Sequence, residues 1–194
     1  MGKLRLCLPM MILLVLAGCG RLPVSPAEQQ ALQARGKYLE MTVWSARAQI
    51  TADYGQRVYT FSVTASGDAE QTLLVLTAPE TVAGMATRMG AEGTVLEYDG
   101  VQMNTGALPD GKTVPMQAIP KLLQAMRSGY IRSCQMQDGS VLFIRCGDPE
   151  QGPGSGEEIS LWVDAQDFSL LRGEIFMDGY CAIRCEMAEF AMME

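Results

Sequence analysis

The sequence predicts an α+β fold: a curved antiparallel β-sheet with helices covering the concave face. Three observations carry this. The apolar period changes from helical to two at Trp44. Asp-Gly, a favoured tight-turn dipeptide, recurs at Asp99-Gly100, Asp138-Gly139 and Asp178-Gly179. Only two segments, up to Met41 and from Pro115 to Met126, carry helical spacing. The order is helix, about five strands, helix and about five more strands, which suits one sheet with helices on one face.

Taken in order, Ser25-Pro26-Ala27-Glu28 reads as a helix start, with Ser25 as cap, Pro26 in the first turn and Glu28 completing a capping box. Ala31, Leu32, Ala34, Tyr38, Leu39 and Met41 give it a loose apolar side, and Gly36 weakens it. Ala48, Ile50 and Ala52 then alternate with polar residues. Past a turn at Tyr54-Gly55, Tyr59, Phe61, Val63 and Ala65 alternate likewise, so the pair forms a hairpin with one buried face. Ser66-Gly67-Asp68 turns the chain into a more uniformly apolar strand, Thr72 to Thr77, which a break at Pro79-Glu80 follows. Short strands are expected at Thr94 to Tyr98 and Val101 to Asn104.

The second helix begins at Pro115 and carries Ile119, Leu122, Leu123 and Met126 on one stripe, with Pro120 near its start, where proline does least harm. Ile131 to Met136 and Val141 to Cys146 form a hairpin. Residues 147–158, rich in glycine, proline and acid, read as an exposed connector. Ile159 to Asp164, Leu171 to Met177 and Tyr180 to Phe190 finish the sheet, with Cys181, Ile183, Cys185 and Met187 expected on one side of the last strand.

The N-terminus has Lys3 and Arg5, an apolar run from Leu6 to Leu16, then Ala17 and Gly18, the order of a secretory signal. The run is too short to span a bilayer, which takes about 20 apolar residues. Two readings follow: an ordinary signal cleaved near Ala17, or a lipoprotein signal. The second is preferred, because Leu16-Ala17-Gly18-Cys19 resembles the lipobox of bacterial lipoproteins. That resemblance implies residues 1–18 as signal peptide, Cys19 as the acylated first residue, residues 19–25 as a lipidated tether and 26–194 as a single domain. The expected location is the extracytoplasmic side of the cell membrane, or of an outer membrane where the cell has one.

Removing residues 1–18 from 194 leaves 176, suited to one domain. The signal holds two of the 15 basic residues and no acid, so 13 basic residues face 22 acidic ones, net −9. Such a surface repels phosphate backbones, so no nucleic-acid partner is expected. Histidine is absent, which excludes Ser-His-Asp and Cys-His catalysis and imidazole metal sites. An enzyme would have to use paired carboxylates, and no pair stands out, so no catalytic residue, cofactor or metal is expected.

Cys134, Cys146, Cys181 and Cys185 are disulfide candidates in an exported chain. Along one strand Cys181 and Cys185 lie about 13 Å apart, too far for a bridge. Cys134 and Cys146 either bond across their hairpin or each pair with one of the C-terminal two. A four-thiolate zinc site is the alternative, though no close C-x-x-C knuckle occurs.

With these elements in place, the chain resembles the LolA, LolB and LppX group of lipoprotein-carrier and lipid-binding domains. The likeness lies in order: lipobox, helix ending near Trp44, strands through Thr77, Pro79-Glu80-Thr81-Val82-Ala83-Gly84, Leu96-Glu97-Tyr98-Asp99-Gly100, a central helix, and Leu161-Trp162-Val163-Asp164 followed by Gly173-Glu174-Ile175. The proline usual after the Trp-Val-Asp strand is absent, with Leu170 and Leu171 in its place. The resemblance implies an open, unclosed barrel whose apolar interior accepts acyl chains. It makes Trp44, Phe61, Val63, Val75, Met85, Met103, Leu122, Met126 and Trp162 the candidate lining, with ordinary core as the alternative for each. The function it implies is a membrane-anchored, non-enzymatic lipoprotein that binds a lipid or a lipoprotein acyl chain. The alternative is a structural or protein-interaction lipoprotein of the cell envelope with a filled core.

Overall fold

The computed structural model describes residues 24–68, 70–106 and 114–193. Cys19, the signal and the start of the tether lie outside the described residues. Helix α1 (Pro26–Glu40) precedes strands β1 (Val43–Asp53), β2 (Val58–Gly67), β3 (Gln71–Ala78), β4 (Ala86–Gly90), β5 (Gly93–Tyr98) and β6 (Val101–Gly106). A 3-10 turn (Pro115–Gln117) leads into α2 (Ala118–Ser128), and β7 (Ile131–Gln137), β8 (Val141–Gly147), β9 (Glu157–Asp164), β10 (Leu170–Met177) and β11 (Tyr180–Met193) follow. All eleven strands join one antiparallel sheet, ordered β6-β5-β4-β3-β2-β1-β11-β10-β9-β8-β7. Its ends, β6 and β7, do not pair, so the curved sheet stays an open barrel. Strand β4 is an addition to the expected set. Its inward positions are Thr87, opposite Leu74, and Met89, so no apolar alternation marks it.

Helix α1 starts as its sequence dictates. The Glu28 amide donates to Ser25 Oγ at 3.2 Å, and the Ser25 amide donates to Glu28 Oε2 at 2.8 Å. Ala31, Ala34 and Tyr38 are buried, whereas Leu32 and Leu39 face solvent. The two helices cap each other. Arg35 of α1 donates from Nε to Met126 O at 2.9 Å and from Nη2 to Gly129 O at 2.5 Å, while Arg127 of α2 donates to Tyr38 O at 2.9 Å and Met41 O at 3.1 Å. Each guanidinium thus satisfies orphan carbonyls at the negative end of the other helix.

The helices lie on the face that carries Ile50, Leu142, Ile144, Leu161, Val163, Ile175, Ile183 and Cys185. Gly173 lets α2 approach, since a Cβ there would stand 2.2 Å from Leu122 Cδ1. Tyr38 stacks on Phe190 and donates to Phe168 O at 3.0 Å.

The disulfide expectation is corrected: Cys134, Cys146, Cys181 and Cys185 are all free thiols. Cys134 sits opposite Ile144, and Cys146 is two residues further along β8. That diagonal spans about 7–8 Å, beyond a disulfide's reach. On β11 the register shifts between Ile175 and Phe176 of β10, so Ala182 is the extra residue and packs toward the core. The shift carries Cys181 to the outer face, beside Arg184 and Glu174, while Cys185 stays buried inside. Burial pushes the thiol of Cys146 up to about 11 and that of Cys185 up to about 12.

Candidate functional site

The inner face of the sheet divides into two halves. Over β7–β11 the helices fill it. Over β2 and β3 Val63, Ala65, Leu74 and Leu76 are buried as well, and beside the 3-10 turn an apolar groove of about 310 Å³ remains among the described residues. Its walls are Tyr59 and Phe61 of β2, Leu76 of β3, Val82 and Met85 from the β3–β4 connection, Tyr54 from the β1–β2 turn, and Pro115 and Met116 of the 3-10 turn. These residues meet for local reasons. Tyr59 and Phe61 sit opposite Ala52 and Ile50, so period two places both on the inner face. The β3–β4 connection folds back through Gly84, at φ +87°, whose amide donates to Leu76 O at 2.9 Å and brings Met85 beside Leu76.

The rings at the groove pack on one another. Tyr59 stacks with Phe61 at 6.4 Å, and Tyr54 meets Tyr59 edge-on at 6.0 Å. Tyr59 is 40% exposed and Tyr54 57% exposed, so aromatic surface faces water at the mouth. Beyond the groove the same face of β5 and β6 presents Tyr98, Val101 and Met103, all exposed. The groove residues bring no acid, base or nucleophile together. Among the described residues no cluster of metal-ligating side chains occurs, and no helix there is long and apolar enough to cross a membrane.

The sequence candidates fall into distinct places. Phe61 and Met85 line the groove. Trp44 and Val63 are buried on the same inner face, within the core. Leu122 and Met126 are buried on α2, over the filled half. Met103 lies on the inner face of β6, with 59% of its surface exposed. Val75 and Trp162 point the other way. Val75 pairs with Thr64 in the outward register, and Trp162 packs on Phe143 and Arg172 outside the sheet. Both lie in runs apolar on each face, Leu73-Leu74-Val75-Leu76 and Leu161-Trp162-Val163, where parity cannot be read. Sequence reasoning missed Tyr54, Leu76, Val82, Pro115 and Met116 as lining. For Tyr59 the signal was present, since it shares the alternation of Phe61.

A larger concavity, about 600 Å³, lies against the outer face and is edged by Ser45, Arg47, Thr64, Ser66 and Glu189. Arg47 and Glu189 pair within it. Its polar rim does not suit an apolar ligand, so the smaller groove is the better candidate.

No protein-family model matches the sequence, and no curated protein matches it. Among solved structures, a DUF1329 family protein from Desulfovibrio piger superposes at a TM-score of 0.50 and 10% identity, covering 89% of this chain and 94% of that one. The chain shares the fold of that protein. A LolA superfamily protein from Nitrosomonas europaea aligns at a TM-score of 0.45 and 10% identity over 87% of this chain and 94% of that one. An uncharacterized conserved protein from Thermus thermophilus reaches 0.49 at 13% identity, over 86% and 87%. At such identities the likeness describes the path of the chain and leaves the ligand to the groove's own chemistry.

Proposed function

We propose that this protein is an exported, non-enzymatic lipoprotein, held at the membrane through acylated Cys19, whose groove binds a lipid or the acyl chain of another lipoprotein. In this reading residues 1–18 are removed, residues 19–25 are the tether and 26–194 form the binding domain on the extracytoplasmic side. The observation that carries the reading is the groove itself: about 310 Å³ walled by Tyr54, Tyr59, Phe61, Leu76, Val82, Met85, Pro115 and Met116, on the inner face of the sheet beside the 3-10 turn. Each methylene buried there contributes about 0.8 kcal/mol, so a chain of several carbons is held without any charged contact. The flexible thioethers of Met85 and Met116 adapt to a chain of variable shape.

Native mass spectrometry of the chain purified from bacterial envelopes tests the binding. The expected result is a reproducible lipid adduct that disappears in Phe61→Asp while the circular dichroism spectrum is unchanged. A consistently adduct-free wild-type protein overturns the carrier reading and favours an interaction lipoprotein. The anchor is tested separately with a palmitate analogue, which labels the wild type and not Cys19→Ala.

A further inference from the structure

On the reading that the groove binds an acyl chain, its size limits what it can hold. A methylene fills about the volume of one water molecule, about 30 Å³. The groove of about 310 Å³ therefore takes about ten chain carbons. Two tails of sixteen carbons each would need about 1000 Å³.

The filled core closes the groove at its inner end. Phe61 and Leu76 are its last wall residues on β2 and β3, and the next inward positions, Val63 and Leu74, have no exposed surface. Thr87 of β4 stands beside Leu74 and is buried too. Toward β1, Tyr59 and Phe61 adjoin Ala52 and Ile50, both buried, and past the 3-10 turn Ala118 and Ile119 are fully buried. A core packed at crystal density admits no second chain unless these side chains move. Tyr98, on the same face beyond Met85, lies outside the groove walls. A tail therefore enters at the Tyr54 and Tyr59 end and stops against the core.

The mouth offers no grip on a charged head group. No wall residue carries a charge. The β1–β2 turn brings Asp53 and Arg57, and the β3–β4 connection brings Glu80. Asp53 already accepts from the Gly55 amide at 2.8 Å. One cation against two carboxylates makes no clamp for a phosphate, which takes converging guanidinium or ammonium donors. We infer that the groove takes a single-chain amphiphile, holding one acyl tail of about ten to twelve carbons and leaving its head group in water.

The test uses the full mature chain, residues 19–194, as Cys19→Ala, so that no acyl chain of its own competes. Isothermal titration calorimetry follows lysophosphatidylcholines with tails of eight, ten, twelve and fourteen carbons, each below its micelle concentration. From eight to ten carbons affinity is expected to rise about fifteenfold, at about fourfold per buried methylene, and from twelve to fourteen by less than about threefold. Dioctanoyl phosphatidylcholine, which carries the eight-carbon tail twice, is expected to bind no more than about threefold tighter than its single-tailed counterpart. Dodecanoyl lysophosphatidylglycerol is expected to bind within about threefold of the choline lipid. Phe61→Asp is expected to weaken dodecanoyl binding more than about tenfold. A larger rise from twelve to fourteen carbons, a larger gain from the second tail or a larger effect of the head group overturns the inference and leaves the carrier reading standing. Binding that survives Phe61→Asp lies outside the groove and overturns it as well. No binding of any of these lipids overturns both.

Discussion

The two halves of this sheet use one backbone plan for opposite ends. Over β7–β11, α1 and α2 bury the inner face so completely that Leu142, Ile144, Leu161, Val163 and Ile175 have no solvent exposure. Over β2 and β3 Val63 and Leu74 are still buried, but toward the β1–β2 turn and over β5 and β6 the inward side chains, Tyr59, Phe61, Tyr98 and Met103 among them, are partly or largely exposed beside the groove. Apolar side chains therefore hold the fold together where they have a lid, and form an open apolar surface where they lack one. On the proposed reading stability belongs to the first half and lipid binding to the second, and substitutions should separate the two.

The largest effect is expected in the covered half. Leu122→Ala leaves a cavity above Gly173 and is expected to lower stability by about 2–5 kcal/mol, read from urea unfolding, with little change in lipid content. An equal loss from Phe61→Ala would erase the distinction between the halves. Next comes the reciprocal capping. Arg127→Ala strands the carbonyls of Tyr38 and Met41 and is expected to cost about 1.5–3 kcal/mol, measured the same way.

Alkaline pH sharpens the contrast further, because the two most strongly shifted thiols sit under the helices. An ordinary thiol in the unfolded chain ionises near pH 9, whereas Cys146 and Cys185 in the folded protein stay protonated to about 11 and about 12. Unfolding at high pH therefore releases protons. The stability that these thiols contribute is complete below about pH 9 and is lost as pH rises toward about 12. Urea midpoints in reductant should fall between about pH 8 and about pH 10.5, and fall less in Cys146→Ala/Cys185→Ala. The smallest stability change is expected in the bare half. Phe61→Ala costs about 1 kcal/mol, since the ring is only partly buried, yet it should reduce the lipid adduct in native mass spectra.

Much of this division is legible along the chain, for particular reasons. The Ser25/Glu28 capping box forms as read, and Asp99-Gly100, Asp138-Gly139 and Asp178-Gly179 all adopt positive φ in turns, because their geometry depends on adjacent residues alone. The face of β2 follows from its clean alternation. Where a strand is apolar on both sides, as around Val75 and Trp162, parity is silent about which side is inside. At Cys181 a single bulge residue reverses the parity of the strand end, and at β4 the inward Thr87 hides a strand.

Local periodicity and turn chemistry thus determined the elements, their approximate order and the α+β class, since these depend on contacts a few residues apart. Which half of the sheet the helices cover was decided only in three dimensions. That choice rests on pairings between distant residues, such as Arg35 with Gly129, Arg127 with Tyr38 and Leu122 with Gly173, and no local pattern encodes them.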